Sequence, residues 1–474
     1  MWLPTAPEHQ DFLKEYLAVC DRYYAGAMTP EDWTQWYDAR LSTVVAHTQA
    51  RSPFYRRHLA GVDPGRTSTA TLAELPFTTK QDLRRELFDI LSGDISEGTF
   101  FYETTGTTGA ATPCPRDAKE VIASNTHVTE SWRTIFRHHF GDHRPAIGLM
   151  GPTEVHSFGD TLGDVARNVG SCTAKIWPYS PVIGFEKALQ LMRDLRLEVI
   201  CCTPGVCLNL AKAALHYGYD LEKDFNIRLF FLTGEMCTPA LAANIDSVWG
   251  VDTYNILYGS QEAFVIGTTC KNKRMHLSAP NYVAEVIEPD SGVSLGPTGT
   301  GELCVTTLID GLKPLIRYRT GDLVHLGEDS CDCELKGPRL DVVGRVLDRI
   351  ELGRGRFLAS ELEEAVLTGV RNCLGFQIVI DADDDGADRL TVRLDLMAAG
   401  QEQIADLTRD IPRRFADRFG VATTTIEAVA ELDQIVSTGA FVSWKAARIH
   451  DRRVPPDHET KVAMAMAARR GYTT

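Results

Sequence analysis

The feature that most constrains this chain is a pattern repeated between residues 146 and 260. A short apolar run is followed by a break and then by a helical stretch. Ala146–Met150 precedes a Gly/Pro break and the helical 159–168, and Leu197–Cys202 precedes Thr203-Pro204-Gly205 and a helix over 206–217. Leu229–Leu232 precedes Thr233-Gly234-Glu235 and a helix over 238–249, and Thr253–Leu257 precedes Tyr258-Gly259-Ser260. Strand, turn and helix in repetition predict a parallel sheet with crossover helices. Ligands of such sheets sit beyond the C-terminal ends of the strands, so the turns after these runs are the first places to look.

Residues 8–50 read as helical, with Leu, Tyr and Trp spaced three and four apart and few Gly or Pro. Over 75–92 a loop leads into a helix for which Thr79 is the expected N-cap. Between 283 and 325 short alternating strands follow: Val283–Ile287, Gly301–Thr306 and Leu323–Leu326. Residues 340–474 mix strands (Gly375–Ile380, Leu390–Leu396) with helices (361–369, 401–418). The expected fold class is α/β: a large N-terminal domain over 1–345, with mixed and parallel sheets and a β-rich subdomain, and a small mobile α+β lid over 346–474.

The formal net charge is −15, which argues against a general nucleic-acid surface and against an anionic membrane surface. No run of about 18 apolar residues is present. Met1–Gln10 has no apolar h-region, so no secretory signal is expected. Twelve cysteines in 474 residues are too sparse for a disulfide scaffold, which points to a cytoplasmic protein. The expected assembly is a monomer or homodimer.

Thr104-Thr105-Gly106-Thr107-Thr108-Gly109 follows the strand-like Thr99–Tyr102. Glycine lets a backbone approach a ligand closely, and threonine hydroxyls can bond phosphate oxygens. No lysine follows at the offset a P-loop needs. Alone, the segment reads as a Thr/Gly-rich surface loop. With three later elements it resembles the adenylate-forming superfamily. Tyr258-Gly259-Ser260-Gln261-Glu262 is similar to that family's YGxTE element, Tyr318-Arg319-Thr320-Gly321-Asp322-Leu323 to its YRTGDL element, and Gly344-Arg345-Val346-Leu347-Asp348-Arg349-Ile350 to its hinge. The four come in the family's order, and the resemblance covers nearly the whole chain. Ser52–Arg56, Leu75-Pro76-Phe77-Thr78-Thr79-Lys80 and Pro314–Arg319 resemble phenylacetate–CoA ligases in particular.

The resemblance implies ATP-dependent activation of a small-molecule carboxylic acid, aromatic or compact cyclic, as an acyl-adenylate. Transfer to an acyl acceptor follows, either CoA or an amino acid. Thr104 to Gly109 would hold phosphate. Glu262 would hold Mg²⁺, which favours a carboxylate with waters. Asp322 would accept from the ribose hydroxyls, Tyr258 and Gly259 would lie by the adenine with Gly234 and Glu235, and Arg345 would reach phosphate or ribose. Arg319 reads as a structural ion pair in the YRTGD turn. Trp444-Lys445-Ala446-Ala447-Arg448-Ile449-His450-Asp451-Arg452-Arg453 resembles the family's lysine element, which makes Lys445 the candidate catalytic lysine. His156 and Phe158 fall where the family screens the acid's carboxylate, with Trp177, Tyr179 and the 201–205 turn as further walls.

Three departures stand out. The phosphate segment continues Ala110-Ala111-Thr112-Pro113, without the usual Lys and Pro, a loss that Arg116 or Mg²⁺ would have to offset. The hinge reads Leu347-Asp348 instead of an acidic pair, and Trp444 replaces a glycine beside Lys445. These leave the acceptor open among CoA ligases, coronafacate-type acid–amine ligases and nitrite-activating relatives, with a non-catalytic nucleotide-binding homologue as the contrasting reading. Separately, Cys270, His276, Cys331 and Cys333 offer three thiolates and an imidazole, a set suited to tetrahedral Zn²⁺. Some phenylacetate–CoA ligase relatives carry a comparable pattern; otherwise these are four unrelated loop residues.

Overall fold

The computed structural model describes residues 7–104, 111–328, 331–383, 385–429 and 448–453. Thr105, Gly106, Thr107, Thr108 and Gly109 of the phosphate segment lie outside the described residues, as do Trp444 and Lys445. The described residues fall into two compact units. One takes its residues from Met1–Pro145, Pro152–Thr173 and Ile256–Val346, the other from Ala146–Gly151, Ala174–Asn255 and Leu347–Thr474.

The expected parallel sheet lies in the second unit. Its strands are β1 (Ile147–Leu149), β2 (Thr173–Lys175), β3 (Val199–Cys202), β4 (Leu229–Leu232) and β5 (Asp252–Asn255), in the order β2-β1-β3-β4-β5. β1, β3, β4 and β5 run parallel. β1, β3 and β4 are buried throughout, as a sheet covered on both faces requires. Thr203 and Thr238 cap the crossover helices Pro204–His216 and Pro239–Trp249, each with a proline in the first turn.

The first unit holds an eight-stranded antiparallel sheet. β6 (Leu257–Ser260), β7 (Phe264–Thr269), β8 (Met275–Leu277), β9 (Tyr282–Ile287), β10 (Ser294–Gly296), β11 (Gly299–Thr307), β12 (Tyr318–Gly327) and β13 (Arg339–Arg345) are ordered β10-β9-β11-β12-β13-β8-β7-β6. Its apolar face packs with the N-terminal helices around Tyr16, Leu41, Val44, Tyr55 and Leu83. In the second unit β14 (Arg349–Leu352) and β15 (Gly355–Leu358) form a hairpin. β16 (Cys373–Ala382), β17 (Asp388–Leu396), β18 (Thr423–Val429) and β19 (Ile449–Asp451) form a sheet ordered β18-β17-β16-β19. The α/β fold class with a β-rich sheet is as expected.

Several local expectations need correction. The helical stretch 8–50 is two helices, Pro7–Tyr24 and Pro30–Arg51, because Thr29 caps the second and Pro30 starts it. Thr99–Tyr102 is not a strand: Phe100 makes one isolated bridge, to Arg116, and Glu103, just beyond the segment, makes another, to Pro113. The run 253–257 is split: β5 ends at Asn255, and Tyr258-Gly259-Ser260 is not a turn but lies in β6 of the other sheet. The helix placed over 401–418 is Ile404–Phe419, preceded by a 3-10 stretch. Thr79 does cap Lys80–Glu86, in a reciprocal box with Asp82.

Candidate active site

In the first unit the YRTGDL element is a bulged strand, not a turn. The β11–β12 register shifts between Glu302, opposite Leu323, and Cys304, opposite Arg319. Gly321 takes φ +75°, a conformation side chains disfavour, and the Asp322 amide donates to Thr320 Oγ1 at 3.1 Å. The bulge re-aims Asp322. Its Oδ2 accepts from the Tyr258 hydroxyl at 2.7 Å, and its Oδ1 lies 3.2 Å from Arg345 Nε. Asp322 and Arg345 are direct cross-strand partners, whereas Tyr258 comes from the far edge strand β6, so the sheet curls to bring it back. The neighbouring carboxylate, after burial, keeps the Tyr258 phenol well above its ordinary pKa, so it stays a donor. Arg319 pairs with Glu302 at 3.1 Å, the structural ion pair expected of it, though in a strand.

Glu262 sits in the β6–β7 turn, 4% exposed. Gly259 is required there: a Cβ would lie 2.1 Å from the Phe264 carbonyl oxygen. Arg116 supports the turn from beneath, donating Nη2 to the carbonyls of Gln261 (2.6 Å) and Glu262 (2.7 Å). It also pairs with Glu120 at 2.9 Å and stacks over Phe264. Its terminal nitrogens are therefore taken up by the fold, which, of the two expected offsets for the missing cation, Arg116 or Mg²⁺, favours Mg²⁺. Lys80 Nζ lies 3.3 Å from Glu262 Oε1, yet that buried oxygen accepts no hydrogen bond among the described residues. Burial pushes the carboxyl up, but Lys80 and Lys313 outweigh it and hold the group below its usual range. An ionised buried carboxylate with an unmet oxygen fits a Mg²⁺ ligand.

Thr104 stands at the entry of the phosphate segment. Its amide donates to Thr112 O at 3.1 Å and its Oγ1 accepts from the Thr112 amide at 2.9 Å. The neighbouring Glu103 amide donates to Val155 O, which ties this entry to the 153–156 loop. His156 is the N-cap of the helix Ser157–Asn168, its Nδ1 accepting from the Phe158 amide at 3.1 Å. Burial pulls its pKa down to about 4, so the ring is neutral at physiological pH.

In the second unit Gly234 takes φ +85° after β4. Glu235 accepts from the Gly205 amide at 3.3 Å and pairs with Arg448 at 2.8 Å. Arg448 also pairs with Glu363 at 3.1 Å. Trp177 and Tyr179 pack together with ring centroids 5.0 Å apart, and the Tyr179 hydroxyl accepts from Asn209.

The four candidate metal ligands come together in the first unit, Cys270 and His276 flanking the β7–β8 turn and Cys331 and Cys333 in the β12–β13 connection. Their donor atoms all lie within 4.8 Å of one another. Cys270 Sγ and Cys331 Sγ are 3.8 Å apart, and Cys333 Sγ and His276 Nε2 are 3.3 Å apart. Tetrahedral bonds of about 2.3 Å to sulfur imply sulfurs about 3.8 Å apart. His276 Nδ1 meets the Gly337 carbonyl at 3.2 Å, which leaves Nε2 toward the cluster, as metal-bound imidazoles are oriented. The residues fit a zinc ion.

Sequence reasoning did not single out Lys80 or Lys313 as site residues. Lys80 had a signal, since it follows the capping Thr79 in the Leu-Pro-Phe-Thr-Thr-Lys element; Lys313, between Leu312 and Pro314, had none.

No family model matches the chain. It is 29% identical to the phenylacetate–coenzyme A ligase of Thermus thermophilus over 418 residues, 81% of this chain and 89% of that one. It is 25% identical to the phenylacetate–coenzyme A ligase of Escherichia coli over 433 residues, 87% of this chain and 93% of that one. The crystal structure of a 2-hydroxyisobutyryl-CoA ligase in its postadenylation state superimposes with a TM-score of 0.75 at 20% identity, covering 93% of each chain. The fold and the ordered motifs are similar to those of the adenylate-forming proteins. Within that class it is a homologue of the phenylacetate–coenzyme A ligases.

Proposed function

We propose that this chain is an AMP-forming ligase. It activates a carboxylic acid with ATP as an acyl-adenylate, releases pyrophosphate, and passes the acyl group to CoA or to an amine. The observation that carries this reading is the Tyr258–Asp322–Arg345 cluster beside a buried, ionised Glu262 in one unit. It supplies a hydroxyl-binding carboxylate and a metal-binding carboxylate for a nucleotide.

In this reading Asp322 accepts from the ribose hydroxyls, Arg345 approaches phosphate or ribose, and Tyr258 fixes the Asp322 carboxylate from the adenine side. Glu262 holds Mg²⁺, which when bound neutralises phosphate charge. Thr104 to Gly109 hold phosphate. Lys445, on a lid over 346–474, would supply a point charge that arrives and leaves with its domain. His156 and Phe158 line the acid in this reading. The relatives' named acid, phenylacetate, supports an aromatic or compact cyclic substrate. Cys270, His276, Cys331 and Cys333 hold a structural Zn²⁺, since all four positions are protein ligands. No helix among the described residues is long and apolar enough to cross a membrane.

Acid-dependent ATP–pyrophosphate exchange across aryl and cyclic acids is the test. Exchange with at least one acid is expected; none across the panel would overturn the reading. Product masses with CoA and with amino acids then assign the acceptor.

A further inference from the structure

The bond between the Tyr258 hydroxyl and Asp322 joins strands that are not neighbours: along the sheet, the path from β12 to β6 crosses β13, β8 and β7. Three of the joins on that path are backbone ladders. β12 pairs with β13 from Asp322–Arg345 to Gly327–Arg339, β8 with β7 over Met275–Leu277, and β7 with β6 over Leu257–Ser260. The join of β13 to β8 is not a ladder. Among the described residues its one register pair is Arg339 with His276, and beside it the Leu277 amide donates to the Pro338 carbonyl at 2.9 Å. A rung or two of backbone contributes little net stability against water.

Side chains close the seam that the backbone leaves thin. His276 Nδ1 donates to the Gly337 carbonyl at 3.2 Å, and the Tyr23 hydroxyl donates to the Lys336 carbonyl. Asn272 donates to Asp332 at 2.8 Å and Lys271 pairs with Glu334 at 2.8 Å, but such surface contacts hold weakly. The four candidate metal ligands straddle the same seam, Cys270 and His276 on the β7–β8 side, Cys331 and Cys333 on the β12–β13 side. Three are buried; Cys331 is half-buried and borders a cavity that Arg274 and Arg339 also line. Three thiolates around a divalent ion leave one net negative charge, which suits guanidinium neighbours.

We propose that Cys270, His276, Cys331 and Cys333, holding a metal ion, clasp this seam and act as positioning residues for the nucleotide. Metal occupancy fixes where β6 stands relative to β12, and through the Tyr258–Asp322 bond it sets the affinity for ATP. This rests on the reading of the four residues as a zinc site and of Asp322 as the ribose-binding carboxylate. Bonds from four side chains to one ion outweigh the backbone rung they back up, so the seam tightens when they form. A shift of β6 withdraws the Tyr258 proton from Asp322 Oδ2 and frees that carboxylate to turn away. Two sites coupled across one seam act on each other in both directions, so a bound nucleotide tightens the hold on the metal by the same factor.

The test uses the full chain, zinc-loaded and stripped with a chelator. Mg·ATP affinity is measured by calorimetry, with a thermal melt to show that the stripped chain is folded. Zinc affinity is measured by competition with a chromogenic chelator, with and without saturating Mg·ATP, and a protein-free blank corrects for zinc held by the nucleotide. Stripping should weaken ATP binding by about tenfold or more, reloading should restore it, and Mg·ATP should raise zinc affinity by the same factor. Tyr258→Phe, which removes the bond across the curl, should cut that mutual effect to less than about twofold. A metal with a merely structural role would leave it intact. Equal ATP affinity in the loaded and stripped chains overturns the proposal, and so does a mutual effect undiminished in Y258F. If the stripped chain unfolds, the zinc competition on loaded wild type and Y258F decides by the same criterion. A chain that takes up no zinc overturns the zinc reading, and a zinc-loaded chain that binds no ATP overturns the ligase reading. A chain that binds both, each indifferent to the other, overturns the clasp alone.

Discussion

Removing the Arg448 charge should expose how the second unit is held together. Arg448, 11% exposed, bridges Glu235 and Glu363, whose side chains are 7% and 9% exposed. Burial pushes both carboxyls up, and Arg448 is the largest opposing influence on each. Arg448→Met keeps much of the volume but leaves two buried carboxylates facing each other. Breaking a buried pair in this way costs about 3–5 kcal/mol. At about 2–4 °C per kcal/mol, that is a fall of roughly 6–20 °C in the unit's melting temperature. The sign with pH follows from proton uptake. Unfolded Glu titrates near about 4.3, and the folded pKa values are raised, so above that point the folded state binds more protons and its stability falls as pH rises. The R448M loss should therefore be largest near pH 8 and shrink toward pH 5. In a Glu235→Gln, Glu363→Gln background the same substitution should cost under about 1 kcal/mol, because no charge is stranded. Thermal melts of the four proteins at both pH values check this. A loss independent of pH, or undiminished in the double-Gln background, would refute the charge argument in favour of packing.

Asp322→Asn should raise the ATP KM about 10–100-fold through weakened hydroxyl contacts, while costing stability only about 1 kcal/mol, since Asn still accepts from Tyr258. Steady-state exchange kinetics and a melt separate the two effects. Lys445→Ala should abolish adenylation and leave the melting temperature unchanged; retained exchange would move that role elsewhere. Metal analysis should find about one zinc per chain. Cys333→Ser, or a strong chelator, should lower the melting temperature by several degrees, and a metal-free wild type of normal stability would retire the site.

The parallel sheet was legible because each of its buried strands ends in a strong punctuator, such as Thr203-Pro204-Gly205, that both stops a strand and starts a helix. The antiparallel sheet was less so. β6 to β8 are short, and the motif residues Tyr258 to Ser260 look like a turn because their glycine answers a close approach by Phe264, not a reversal of the chain. The ordered motifs made Glu262, Asp322 and Arg345 candidates, but did not point to what holds them. Arg116 and Glu120 form a local i,i+4 pair, but Lys313 and the carbonyls of Gln261 and Glu262 meet that pair only through the fold, so no local spacing announces the set. The same holds for Arg448, whose partners lie 213 and 85 residues away.

The cap formed by His156 has a consequence for how this region can change. Because Nδ1 is occupied by the Phe158 amide, a proton placed there would release the first turn of the helix, and proton exchange that keeps the cap would have to pass through Nε2. Asparagine can make the same capping contact with its side-chain oxygen. His156→Asn is therefore a substitution the helix can absorb. A lineage is free to trade the ring without first rebuilding the helix that it caps.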